Sequence, residues 1–183
     1  MIQNEEFINI PDKDNAGSMI FNIDLKNKKI LIAGGGKIAE RKIKVLLPEN
    51  PLIHVISPEV TEFIKKLSDE GNIQLSLRNI EVSDINNSYF MVLCITDKQD
   101  VNDMISSICK RMGILHDDSG NHNNSDIMMV ANAGIGDITI AISTDGSSPR
   151  TSKMLKDLLI HDMKTSEYSF EETIKAIYHK KIR

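Results

Sequence analysis

A short apolar run, three consecutive glycines and an amphipathic stretch follow one another from Lys29 to Leu47, KILIAGGGKIAERKIKVLL. Nothing else in the chain constrains its fold as tightly. Ile30 to Ala33 reads as a buried strand. Ile38, Ala39, Ile43, Leu46 and Leu47 then recur at helical spacing. Between strand and helix lies G-x-G-x-x-A, with Gly34, Gly36 and Ala39 at the fixed positions. Gly34 permits a tight turn, Gly36 lets the backbone approach a diphosphate, and Ala39 lets helix and strand pack closely. The amides of the new helix terminus then face the phosphates. A glycine turn alone is weak evidence of a ligand. An apolar strand before it and an amphipathic helix after it favour a dinucleotide site.

With 183 residues the chain can form one full domain plus an appendage. The 40% hydrophobic share is ordinary for a soluble protein, and a net charge of -4 gives no nucleic-acid footprint. Cys94 and Cys109 lack metal-ligand spacing and form no disulfide framework, which fits a reducing cytoplasm. The opening MIQNEEFINIPDKDN lacks the apolar region of a signal peptide. No apolar run approaches the roughly 20 residues of a membrane span.

Residues 1–18 read as a loose leader, and Met19 to Ile23 as a short edge strand. Leu52 to Ile56, Ile73 to Leu77 and Tyr89 to Thr96 read as further strands. Val60 to Leu67 and Asp100 to Met112 read as helices between and after them. This alternation predicts an α/β fold, a Rossmann-like, doubly wound parallel sheet over 19–113. Ser57, Pro58 and Glu59 follow the second strand. An acid is expected near there for ribose hydroxyls, and Ser57 or the slightly late Glu59 could supply the contact. Thr96 ends the continuous apolar strand at the carboxyl edge, where ligands sit in such sheets.

Residues 114–150 read as a small α+β region for dimerisation and substrate, and 151–183 as a short helical tail. His116 to Asp126 reads as a polar loop. Ile127 to Ala133 and Ile138 to Ser143 read as an antiparallel pair around a turn at 134–136. Ser152 to Met163 is helical, and Ser169 with Glu172 could cap a last helix.

Three blocks, LIAGGGKIAERK at 31–42, LCITDKQDVN at 93–102 and AISTDGSSPRTSKML at 141–155, stand in an order that resembles the precorrin-2 dehydrogenase / sirohydrochlorin ferrochelatase family. That family includes the N-terminal module of siroheme synthase. The resemblance covers roughly residues 19–160. It implies NAD-dependent oxidation of precorrin-2 to sirohydrochlorin, and in some members insertion of ferrous iron as a substrate. It places cofactor contacts on Gly34, Gly36, Lys37 and Ile38, with Gly35 between them, then on Pro58 and Glu59, then on Thr96. The family's important aspartate falls on Asp117, and its hydroxyl near the tetrapyrrole on Ser143 or Thr144. The family's asparagine ahead of that aspartate is absent here. The loop after Asp117 is a few residues longer, and Val130 stands where a proline is usual. No methyltransferase module follows, so methylation of uroporphyrinogen is not expected.

Loss of hydride from such a substrate must be matched by loss of a proton, and Asp117 could act as general base. Read without the resemblance, Asp117 is an ordinary loop acid. His116 and His122 invite a metal reading, but no fixed spacing supports one and a solvated loop is preferred, so no metal site is expected. Ser143, Thr144, Ser147 and Ser148 offer donors to substrate carboxylates, although Ser148 could be only a helix cap. Arg41, Lys42, Lys44 and Arg150 could steer a polyanion, or be solvated helix charges. Two other readings compete with the enzyme: a non-catalytic, regulatory NAD-binding module, and a sirohydrochlorin chelatase or carrier with a vestigial Rossmann half. The apolar strands of 127–143 predict a homodimer, because bare edges and faces of this kind seek partners. Such a dimer is expected to share its substrate cleft between subunits.

Overall fold

The computed structural model describes residues 18–135 and 138–165. The leader at 1–17, Gly136 of the expected turn, and the last helix from Ser169 lie outside the described residues. Contacts divide the chain into two compact units. One runs Ile23–Val130, and the other holds the described residues 18–22 and those from 131 onward.

The larger unit is a five-stranded parallel sheet in the order β3-β2-β1-β4-β5. The strands are β1 (Lys29–Ala33), β2 (Leu52–Ile56), β3 (Gln74–Ser76), β4 (Met91–Cys94) and β5 (Leu115–Asp118). Its helices are α1 (Lys37–Leu46), α2 (Glu62–Asp69) and α3 (Gln99–Met112). This is the Rossmann-like α/β sheet expected from the alternation of strands and helices. After Lys29, β1 is apolar because both faces are covered: Ile30 to Ala33 are fully buried. Ile30 and Ile32 pack with Ala39, Ile43 and Leu46 of α1 and Ile64 and Leu67 of α2. Leu31 and Ala33 face the other way, with Ile105, Ile108 and Cys109 of α3.

Local chemistry sets the helix ends. Thr61 Oγ1 accepts the Ile64 amide at 3.4 Å and caps α2. Gly113, at φ 67°, closes α3 in the left-handed conformation that glycine adopts freely. No α-helix follows β3, only a 3-10 turn at Val82–Asp84. A connection pinned by Arg78, whose guanidinium holds both oxygens of Asp84 at 2.6 and 2.7 Å, leads to β4 instead.

The structure corrects the loop reading of His116 to Asp118. These residues are the end of β5, and all three are buried. The sheet therefore continues beyond residue 113. Met19 to Ile23 forms no strand, and Ile127 to Val130 precedes rather than joins the antiparallel pair. That pair is β6 (Ala131–Ile135) with β7 (Ile138–Ile142) in the second unit. Helix α4 (Pro149–Thr165) packs against both strands. It begins three residues before the expected Ser152, because Ser148 caps it and proline suits the first helical position.

Ile43 is fully buried between α1 and the sheet. We expect Ile43→Ala to destabilise the protein by about 2–5 kcal/mol, read as a lower urea midpoint with an unchanged slope.

Candidate functional site

Parallel pairing brings the carboxyl ends of β1, β2 and β4 into one row, since Ala33 lies beside both Ile56 and Cys94. Four groups of expected contact residues emerge there: Gly34 to Gly36, Lys37 and Ile38, Ser57 to Glu59, and Thr96. The glycines differ in what constrains them. Gly34 has φ +118°, and a Cβ there would collide with the Ile95 carbonyl oxygen. At Gly35 a Cβ would meet the Glu59 oxygen and Val60 Cγ1, each at 2.5 Å. A Cβ on Gly36 meets nothing within 4 Å. Gly36 is the N-cap of α1 and offers no side chain to its amides. This open, amide-lined step fits the diphosphate of a dinucleotide, which a helix N-terminus attracts.

Lys37 is 87% exposed and lies 3.7 Å from Glu40. Ile38 is exposed beside it. Glu40, in the first turn, is held below the usual carboxylate range by its hydrogen bond from Lys44. Ser57 is buried, and its hydroxyl donates to the Glu59 carbonyl at 2.7 Å. Glu59 itself is exposed just after β2. The Thr96 hydroxyl donates to Asn102 Oδ1 at 2.7 Å, and Asn102 Nδ2 donates back to the Thr96 carbonyl. Asn102 thus locks the turn after β4. Sequence reasoning left it unassigned, although it lies within the LCITDKQDVN block.

On β5 successive side chains take opposite faces. Asp117 neighbours Leu93 in register and faces α1. Its carboxylate accepts from Lys42 Nζ at 2.5 Å, with only 4% of the Asp117 side chain and 12% of the Lys42 side chain exposed. The reading of Lys42 as a solvated or steering charge is therefore corrected. Its spacing, three residues after Ala39 and four before Leu46, puts it beside the buried stripe and could have flagged it. Asp118 faces α3 and is held by four donors: the Gly120 and Asn121 amides on one oxygen, Gln99 Nε2 and Asn124 Nδ2 on the other. His116, fully buried, has Nδ1 at 2.6 Å from Asp126 and Nε2 at 2.5 Å from the Asn124 carbonyl. Both ring nitrogens are thus engaged within the protein, while His122 is exposed on a 3-10 turn. Burial pushes the Cys94 thiol at this edge up to about 12, so it is no nucleophile at neutral pH.

In the second unit the hydroxyl-rich block forms a closed turn. Asp145 and Gly146 both have positive φ, at 51° and 79°. Thr144 Oγ1 lies 3.0 Å from Ser152 Oγ and accepts the Ser148 amide. Ser147 donates to the Thr144 carbonyl, and Ser143 donates to Asp145. Ser148 Oγ accepts the Thr151 amide at 3.3 Å, the helix-cap role.

A family model described as "Putative NAD(P)-binding" matches residues 21–131, and one described as "Sirohaem biosynthesis protein central" matches 136–161. A precorrin-2 dehydrogenase of Bacillus subtilis is 32% identical over 136 residues, covering 74% of this chain and 83% of that protein. One from Priestia megaterium is 32% identical over 135 residues, 74% of this chain and 66% of the relative. A siroheme synthase of Actinobacillus pleuropneumoniae is 27% identical over 75% of this chain but only 28% of its own length. A solved precorrin-2 dehydrogenase superposes with a TM-score of 0.70 at 26% identity, over 89% of this chain and 78% of that one.

The glycine geometry predicts two different failures. Gly36→Asp should abolish NAD binding in calorimetry while leaving the unfolding free energy within about 1 kcal/mol of wild type, because its side chain enters open space. Gly35→Ala should lower the unfolding midpoint, because its Cβ has no room.

Proposed function

The chain belongs to the precorrin-2 dehydrogenase and siroheme synthase family, and on that premise we propose that it oxidises precorrin-2 to sirohydrochlorin with NAD, in siroheme biosynthesis. The observation that carries this reading is an acid, Asp117, two strands from the glycine turn on the α1 face of the same sheet. A purely regulatory nucleotide module has no need of a buried carboxylate there.

Gly36 and the amides of Lys37 and Ile38 bind the diphosphate, and Glu59 receives the ribose hydroxyls. The nicotinamide of bound NAD supplies the acceptor for the hydride that the substrate loses. Asp117 takes the matching proton, so that hydride and proton together account for the oxidation. Ser143 and Thr144 bind substrate carboxylates, with Ser147 and Ser148 closing the turn that presents them. The same Asp117 carboxylate would accept pyrrole protons as ferrous iron enters sirohydrochlorin. Iron is a substrate in that second reaction.

Asp117→Asn keeps the shape and removes the base. We expect NAD affinity near wild type and anaerobic precorrin-2 oxidation slower by at least about a hundredfold, the usual scale for loss of a general base. Normal turnover in this variant would remove Asp117 from the mechanism.

We also propose a homodimer formed through the second unit. β6 and β7 make a two-stranded sheet against which α4 packs. On α4, Met154, Leu155, Leu158 and Leu159 leave 61%, 44%, 56% and 42% of their surface exposed, an apolar stripe that a second copy would cover. Light scattering at micromolar concentration should give twice the chain mass. A monomer mass with full activity would overturn the dimer.

A further inference from the structure

The Lys42–Asp117 pair has a cost that packing does not explain. Two opposite charges at 2.5 Å, both nearly sealed from water, lie beside the apolar row of Ile32 and Leu93. Replacing such a pair by well-packed apolar side chains is commonly neutral or stabilising, so the pair is weak evidence for a stability role. The other cations of α1 are placed differently. Arg41 is exposed. Lys44 donates to Glu40 at 2.6 Å and covers the Phe63 ring at 4.4 Å. Lys42 alone among the described cations pairs with a carboxylate on a strand of the sheet.

We propose that Lys42 is a positioning residue for precorrin-2 oxidation, acting through Asp117. The inference rests on the reading of Asp117 as the base. Burial by itself disfavours a charged carboxylate, and an adjacent ammonium offsets that penalty. Lys42 thereby gives the Asp117 carboxylate a fixed counter-charge. It also fixes the carboxylate, because a single contact from α1 holds one oxygen, Oδ2, and leaves Oδ1 for the substrate. The helix that presents Lys42 is the one whose first turn follows Gly36, and Lys42 lies five residues, about 7.5 Å along the axis, after Lys37. Cofactor-binding turn and base are thus referenced to one rigid element.

The test compares Lys42→Met, Lys42→Arg, Asp117→Asn and the Lys42→Met/Asp117→Asn double variant. Each is assayed anaerobically for kcat and KM with precorrin-2, for NAD affinity by calorimetry, and for folding by circular dichroism. Lys42→Met should lower kcat by about thirtyfold or more, with KM and NAD affinity within about twofold, and Lys42→Arg should restore kcat to within about fivefold of wild type. In the Asp117→Asn background, Lys42→Met should cost less than about twofold more, because its effect passes through the missing base. Where Lys42→Met fails to fold for want of a counter-charge, Lys42→Gln against Lys42→Arg carries the same kcat comparison. Near-normal kcat in folded Lys42→Met or Lys42→Gln, with Asp117→Asn impaired, overturns the role of Lys42 and leaves the base in place. An equal loss in both backgrounds overturns it too. Normal turnover in Asp117→Asn removes the base and the inference together.

Discussion

Everything at the candidate site depends on how tightly β1 is enclosed. It is paired on both edges, to β2 and β4, and covered on both faces. A chain leaving such a strand must turn out through the gap between its neighbours. That gap is walled by the Ile95 carbonyl on one side and by Glu59 and Val60 on the other. Gly34 and Gly35 are there because the protein itself leaves no room for a Cβ. The Thr61 amide, donating to the Gly35 carbonyl at 3.0 Å, ties the β2–α2 loop to the same turn. Gly36 is the glycine that faces open space. Three adjacent identical residues therefore divide into two required by packing and one available to a ligand.

β5 solves a different problem, that of an edge. Its backbone alternates between donating to β4 and pointing away from the sheet. The loop after it returns along that outer side: the Asp126 and Ile127 amides both donate to the His116 carbonyl, and the Asp118 amide donates to Ser125 Oγ. A polar, sealed edge of this kind discourages pairing with another chain. The residues that read as a solvated loop rich in metal ligands are spent on this closure. His116 and Asp126 hold the loop to the strand, and Asp118 organises the turn at Gly120 and Asn121.

This explains which parts of the molecule were legible in the sequence. The glycine turn, the apolar strands β1, β2 and β4, and the helices α1 and α3 announce themselves through local pattern, which is the signal that hydrophobic periodicity reports. β5 does not, because Leu115-His116-Asp117-Asp118 has none of the composition of a buried strand. Its polar groups are satisfied by the loop that returns at 120–126 and, for Asp117, by Lys42, 75 positions earlier. The family resemblance placed its aspartate on Asp117, while the local pattern misread the surroundings of that residue as a loop. Asn102 was missed for a related reason: a side chain that completes a turn through its amide leaves no periodic trace. On α4 the apolar pattern gave the helix, and the cap at Ser148 moved its start.

Asp117 and Asp118 are adjacent, identical and both buried, yet they are not chemically equivalent. Asp118 is held in part by the backbone amides of Gly120 and Asn121, which cannot be withdrawn without undoing the turn that closes the sheet edge. Its acceptor capacity is committed to the fold. Asp117 is held by one ammonium on a flexible four-carbon stem, a partner that can rotate while its helix stays in place. A group that must change partners during a reaction needs contacts of the second kind. Strand alternation, which sends one acid to α3 and the other to α1, is what separates the carboxylate committed to the sheet edge from the one proposed as the base.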